Sequence, residues 1–425
     1  MLNRPSGPML AAAALAAALA GLAAALEGRL PPGVSPVLYQ LVVPPAAAPT
    51  PDKVALGDKL FNDKRLSVND QVSCATCHDP ARGFVDHKTV PDGVAAPAQR
   101  PQRNSPTVLN AMFNATQFWD GRAPSLEEQA KLPILNPIEM GQKSPDDVVA
   151  KVRALPEYRE AFPRVFGHDA TYDDIAAAIA AFERTQYAGD APFDRFIAGD
   201  EKAIGAATKR GWGLFNGKGR CNACHAFSTV SPLFSDQKFH NIGIAAHKTD
   251  FIDLARKAAG TVRAGDLKQV DELAIQTHFS ELGRFLVTKQ ANDIGAFKTP
   301  GLRNVAITAP YMHDGSLATL WDVMDHYNKG GVPNPNLDGG MQRLGLSEAE
   351  IDDLVAFMES LTSRKFAALA KEEMARQRAR KNVRPERETA VAMGKQGHLG
   401  DLAPTPDPAR PAAFGVLVRG GTSYE

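Results

Sequence analysis

The sequence predicts a mainly α protein of two related domains with long loops, preceded by an N-terminal export segment and followed by a C-terminal tail. Three observations predict it. Apolar residues recur at helical spacing in segments such as 173–188 and 347–361, and alternating strand patterns are scarce. Stretches rich in Gly, Pro and Asn separate those segments. Residues 58–78, DKLFNDKRLSVNDQVSCATCH, also resemble residues 211–225, GWGLFNGKGRCNACH. Both contain LFN, a basic residue and then Cys-x-x-Cys-His, and their first cysteines are 147 residues apart. A repeat at that distance suggests two domains of one kind.

Each element follows in order. Arg4 precedes a charge-free run from Met9 to Leu26. A basic start and an apolar core of small residues read as a signal peptide that exports the chain to the periplasm. A retained membrane anchor and a buried Ala-rich helix are the alternatives. Residues 27–51 are rich in Pro and Ala and read as a linker. The body divides near residue 205 into domains 52–205 and 206–364. In the second, Ser347 with Glu350 forms a capping box opening an amphipathic helix. Residues 365–425 are densely charged and then Pro-rich, expected to form a solvated helix and a tail without chemistry.

Forty-eight basic and 48 acidic side chains balance to zero net charge. That argues against a nucleic-acid binder, which needs a basic surface. A protein partner would have to be met by a local patch.

All four cysteines lie in the two motifs: Cys74, Cys77 and His78, then Cys221, Cys224 and His225. A shared four-thiolate zinc site would not require a histidine after each pair. A redox dithiol would not require two copies. Covalent haem accounts for all six residues. Two thiols add to the porphyrin vinyl groups, and the next residue offers its imidazole to the iron. Each domain is therefore expected to be a cytochrome c-like haem domain, with His78 and His225 as iron ligands.

Further blocks carry a family resemblance: LGDKLFNDKRLS, CATCHDPARGF, RNSPTVLNA, QFWDGRAPSLEEQA, NPIEMG, FHNIGI, FKTPGLRNV and APYMHDGSLATL. In this order, across residues 55–361, the chain resembles the bacterial di-haem cytochrome c peroxidases and the related MauG-type oxidases. The resemblance implies peroxide chemistry at the first haem and electron storage or relay at the second. It places Glu139 and Gln129 over the first iron, where a carboxyl can shuttle a proton and an amide can hold peroxide. It places Trp119 between the haems, and it implies a calcium ion held by Asn104, Thr308 and Pro310. Arg122 and Arg303 are candidate partners for haem propionates. The residues alone leave plainer readings open: a surface carboxylate for Glu139, a core indole for Trp119 and ordinary ion pairs for the arginines.

Two departures matter. The reductively activated peroxidases of the family close the first haem with a loop histidine. Here the aligned position is Ala96, with His87 upstream as the only substitute, otherwise expected to face solvent. The first iron is therefore expected to be open. The family's sixth ligand to the second iron lies 14 residues after the histidine of HDG. That position is Tyr327, with Met324 and His326 as competitors. A phenolate favours ferric iron where a thioether favours ferrous. Both departures lean toward the MauG-type branch. That branch's best-known member uses a surface tryptophan before its second haem motif. Gly219 and Arg220 stand there in this chain, and the nearest tryptophan is Trp212. The implied partners are hydrogen peroxide and either a small electron-donor protein or a protein to be oxidised. A non-catalytic di-haem electron carrier is the remaining reading.

Overall fold

The repeated LFN block is one side of a helix crossing that occurs twice. In this computed structural model, which describes residues 30–44, 47–95, 99–247, 251–261 and 266–383, the helix Pro51–Asn62 packs on Tyr172–Glu183. Helix Ala206–Asn216 packs in the same way on Glu348–Glu359. Both crossings are too close for a side chain at the contact. A Cβ on Gly57 would lie 1.9 Å from the Ala178 carbonyl oxygen, and one on Gly211 would lie 2.0 Å from that of Asp353. Four residues beyond each glycine a phenylalanine enters the core: Phe61 against Phe182, and Phe215 against Phe357, each with ring centroids 5.0 Å apart. The partner helices open alike, with Thr171–Asp174 and Ser347–Glu350 capping boxes.

A second repeat runs at a constant offset of 194 residues. Asn110 and Asn304 both take the left-handed conformation, at φ 63°. The Asn110 side-chain oxygen accepts the Ala188 N–H at 2.9 Å, and Asn304 accepts that of Ser363 at 2.9 Å. Each asparagine thereby ties its loop to the segment leaving the partner helix. This is why Tyr172–Glu183 ends before the periodicity to 188 would suggest. The hairpin-like loops Gln117–Ala123 and Tyr311–Leu317 follow, each closed by one antiparallel bridge. Helices Leu126–Leu135 and Leu320–Lys329 come next, capped by Ser125 and Thr319. The mainly α expectation holds. Among the described residues the only named strands are Phe239–His240 and Phe297–Lys298, antiparallel, with Phe239 opposite Lys298. Both repeats lie in one compact unit that reaches Lys381.

Two expectations change. The 27–51 segment contains a helix, Pro36–Val42, capped by Ser35. Its Leu38, Tyr39 and Val42 pack on a cluster with Met112, Phe113 and Leu126, so this part is docked rather than a spacer. The apolar side of VLYQLVV outweighs its Pro-rich flanks. The charged helix Ala367–Val383 is solvated on one face only. Met374 and Gln377 on its other face are buried, and Gln377 accepts the Leu320 N–H and donates to the Ala306 carbonyl. The 9–26 run, Ala96 and the tail beyond 383 lie outside the described residues.

Between FHNIGI and FKTPGL the chain inserts two helices, Phe251–Thr261 and Leu267–Gln276. With the turn that follows they form a small core of their own around Leu254, Ala258, Val270 and Leu282.

The crossing makes a paired prediction. Gly211→Ala should destabilise the protein by about 1–3 kcal/mol through overpacking. Gly213→Ala, on the same helix with nothing within 4 Å of its Cβ, should stabilise it by about 0.5–1 kcal/mol. Denaturant titration of both variants checks this, and equal effects would contradict the crossing.

Candidate active site

The two Cys-x-x-Cys-His motifs present their histidines alike. Cys74–Cys77 is a single helical turn, and the Ser73 N–H donates to Thr76 Oγ1 at 2.9 Å. His78 follows as its C-cap, with Nδ1 3.4 Å from the Phe84 carbonyl oxygen. Cys221–Ala223 is a tight turn, and His225 Nδ1 sits 2.9 Å from the Phe234 carbonyl oxygen. A carbonyl can only accept, so each Nδ1 carries the proton and each Nε2 keeps its lone pair. Burial lowers the pKa of both imidazoles and so favours the neutral form that binds metal. Burial also pushes the Cys74 and Cys221 thiols up to about 12. The cysteines do not converge as a zinc site would require. Among the described residues the groups of three or more potential ligands are Cys224, Asp236 and His240, and Glu281, His313 and Asp314.

Both motifs open on one cavity of about 420 Å³. Most residues singled out in the sequence for chemistry line it: both cysteine pairs, His78 and His225, Gln129 and Glu139, Trp119, Arg122 and Arg303, Asn104, Thr308, Pro310 and Tyr327, but not His87 or His326. The Trp119 indole N–H donates to the Asn104 carbonyl at 2.9 Å, which fixes the ring on the cavity wall.

Glu139 sits in the turn after helix Leu126–Leu135. Its Oε2 is sealed from solvent and finds no hydrogen-bond partner among the described residues. Burial first, and then the Asp271 carboxylate, raise its pKa to about 8 against the opposing pull of Arg122. It is a proton-holding carboxyl at neutral pH.

Both arginines already hold protein carboxylates. Arg303 makes a two-point contact with Asp194, at 2.9 and 2.7 Å, and donates to the Pro232 carbonyl at 2.6 Å. Arg122 pairs with Asp120 at 3.0 Å and with Asp271 at 2.7 Å, and its guanidinium lies 3.5 Å from the Phe118 ring centroid. Burial opposes ionisation of Asp120, but Arg122 and Arg103 outweigh it and bring its pKa down to about 2. Asn104 donates from its side chain to the Lys88 carbonyl at 2.9 Å.

His87 does not face solvent. Its side chain is 9% exposed, φ is 57°, and Nδ1 sits 3.0 Å from the Ala309 carbonyl oxygen and 3.9 Å from Glu373. It is not among the residues lining the cavity. Of the competitors at the second iron, His326 Nε2 is held by the Ile242 carbonyl at 2.9 Å. Tyr327 and Met324 both reach the cavity, and burial raises the pKa of the Tyr327 phenol.

Comparison with known proteins decides the family. The profile described as di-haem cytochrome c peroxidase matches residues 51–202. The methylamine utilization protein MauG of Methylorubrum extorquens is 42% identical over 320 residues, 75% of this chain and 80% of that one. The cytochrome-c peroxidase IdrP1 of Denitromonas iodatirespirans is 39% identical, over 83% of this chain and 92% of that one. The chain belongs to the di-haem cytochrome c peroxidase family. A solved MauG-like protein associated with microbial copper homeostasis shares the fold, with a TM-score of 0.61 and 32% identity over 77% of this chain and 93% of that one. Membership makes the chain an oxidoreductase and implies two c-type haems. The residues fit them: two Cys-x-x-Cys-His turns, two Nε2 lone pairs and one shared cavity.

In this di-haem enzyme the residue-by-residue match of the two halves and the carboxyls Glu183 and Asp271 escaped the sequence reading. The 194-residue offset places Pro133, inside helix Leu126–Leu135, where the second half has Tyr327. It also places Trp119 where the second half has His313. Comparing the two halves residue by residue would have found both. Glu183 is a second carboxyl on the cavity wall, with Oε2 sealed and unpartnered among the described residues. Asp271, anchoring Arg122, lies in the inserted helices that the family blocks do not cover.

Burial raises the Glu183 pKa to about 8, with Arg184 lowering it and Glu127 adding to the rise. Between its ordinary 4.5 and about 8, the unfolded chain releases this proton while the folded protein keeps it. Stability is therefore present below that window and lost as pH rises through it, at up to roughly 1.4 kcal/mol per pH unit. Glu183→Gln should melt several degrees above the parent at pH 8 and no higher at pH 4.5. Parallel melting curves against pH would contradict the buried, protonated acid.

Proposed function

We propose that this chain is an exported di-haem peroxidase whose first haem takes hydrogen peroxide without prior reduction, using electrons from a small redox protein. One observation carries the reading. The wall shared with His78 holds an unpaired, proton-retaining carboxyl, Glu139, while Pro133 stands where the second half has Tyr327. Proline offers no side-chain ligand, so that side is left to substrate.

Haem in the cavity supplies an iron that binds peroxide and exchanges electrons. The chain supplies the rest. Glu139 takes the proton from the near peroxide oxygen and returns it to the far one, which leaves as water. Burial keeps the carboxyl mostly protonated at neutral pH, and its ionised minority is the form ready to accept. Gln129 holds peroxide by its amide, and the apolar wall around Ile134 and Val108 excludes water. Each turnover consumes two electrons and two protons. Trp119, on the wall of the cavity that both motifs share, would couple the haems. His225 and Tyr327 would hold the second iron. A calcium ion would be held by Asn104 and the carbonyls of Thr308 and Pro310, oxygen donors that suit a hard cation. Arg122 and Arg303 would face the haem propionates while keeping their carboxylate pairs.

Export is proposed from the 9–26 run and from the chemistry, because c-type haem is attached outside the cytoplasm. No helix among the described residues is long and apolar enough to cross a membrane. Tyr327 favours a second reading, a MauG-type oxidase that withdraws electrons from a partner protein, because a phenolate supports iron states above ferrous.

Glu139→Gln should slow the reaction with peroxide by about 10²–10⁴-fold while both haems remain attached. Stopped-flow mixing of the haem-loaded variant with peroxide checks it. An unchanged rate would remove Glu139 from the chemistry.

A further inference from the structure

The inserted helices reach across the chain to the first half of the cavity. Asp271, on helix Leu267–Gln276, is 3% exposed. Its Oδ1 accepts from Arg122 Nε at 2.9 Å, and its Oδ2 accepts from Asn136 Nδ2 at 2.7 Å. One turn on, Ile275 lines the cavity itself, and its carbonyl accepts the Gln102 N–H at 2.8 Å. Asn136 builds the corner that carries Glu139. Its backbone carbonyl accepts the N–H groups of Glu139 at 3.2 Å and Gly141 at 2.9 Å, and its Oδ1 accepts that of Ile138 at 3.2 Å. Asp271 therefore grips both the cation beside Glu139 and the turn beneath it.

We propose that Asp271 is a positioning residue for the Glu139 carboxyl: it fixes Arg122 and the Asn136 turn, and its negative charge offsets the Arg122 cation that faces Glu139. The role rests on Glu139 being the proton carrier of the peroxide reaction. It gives the insertion a purpose beyond covering the site, since one of its side chains sets how tightly the catalytic proton is held.

The charges around Glu139 support this. From the 119–122 loop come Arg122 and, behind it, Asp120, which also pairs with Arg103 at 2.7 Å. From the inserted helix comes Asp271. The first haem-binding turn contributes Cys77, a neutral thioether once haem is attached, with Asp86 beyond it. The loop packed on the Glu139 turn carries Lys88 and Asp92, paired with each other at 2.6 Å. Beyond these, buried Lys298 interacts with Asp120 and Glu281 with Arg103. Of all these groups Asp271 and Arg122 act on Glu139 with opposite sign, and removing Asp271 removes the charge that offsets Arg122. Burial and Asp271 both raise the Glu139 pKa, and Arg122 lowers it.

The test is an infrared pH titration of the Glu139 carboxyl in the haem-loaded protein, identified by its absence in Glu139→Gln. The pH profile of the peroxide reaction is measured alongside. Asp271→Asn should lower both midpoints by about one pH unit. Arg122→Gln should raise them, and the double variant should return toward the parent. If Asp271→Asn alone does not accumulate as haem-loaded protein, Arg122→Gln is compared with the double variant, where adding Asp271→Asn must lower the midpoint. A midpoint unmoved by Asp271→Asn, with peroxide reactivity lost in Glu139→Gln, would overturn the proposal alone. Full peroxide reactivity in Glu139→Gln would overturn the functional reading and the proposal with it.

Discussion

A buried histidine must be neutral, and its Nε2 must face a dry cavity, before it can hold haem iron. The protein meets that constraint twice with one device. A backbone carbonyl, of Phe84 or of Phe234, takes the Nδ1 proton and fixes the tautomer. The carbonyl stays in place because a glycine-tight helix crossing and an asparagine-anchored loop close around each motif. Gly57 and Gly211 allow the crossings, and Asn110 and Asn304 pin the loops to the partner helices. Most of the described structure is this support, built once in each half.

Function comes from the places where the halves differ. Pro133 stands opposite Tyr327 in the repeat, so a position with a phenol in one half has no donor side chain in the other. Trp119 stands opposite His313. The indole is tied to the Asn104 carbonyl, whereas His313 Nε2 lies 3.0 Å from Glu281, beneath Phe297. The first half also keeps a carboxyl, Glu139, whose Oε2 finds no partner among the described residues and on which Arg122 and Asp271 act with opposite sign. Desolvation holds its proton, and the nearby charges tune how firmly.

The haem motifs were legible because covalent attachment needs contiguous residues, and two cysteines with an adjacent histidine survive any reading of the fold. The helix Glu348–Glu359 was legible from its capping box for the same reason: the signal is local. Glu139 was legible only through the NPIEMG block, because what makes it hold its proton comes from afar. Its nearest charges, Arg122 and Asp271, lie 17 and 132 residues away in sequence. Asp271 itself looked like any acidic residue of an amphipathic helix. His87 was misjudged as solvent-facing because its cover comes from Ala309 and from Glu373 on the charged helix. That helix in turn looked solvated because its buried face mixes Ala370 and Met374 with the polar Glu373 and Gln377. The local pattern shows elements and covalent motifs, and long-range burial decides which polar groups are chemical.

The central claim is an asymmetric pair of irons, one open beside Glu139 and Pro133 and one closed by His225 and Tyr327. Electron paramagnetic resonance of the oxidised, haem-loaded protein, before and after peroxide, tests it most directly. The account predicts one high-spin and one low-spin ferric signal, both lost when peroxide is added. Two low-spin signals, with no high-spin species in the resting enzyme, would contradict it.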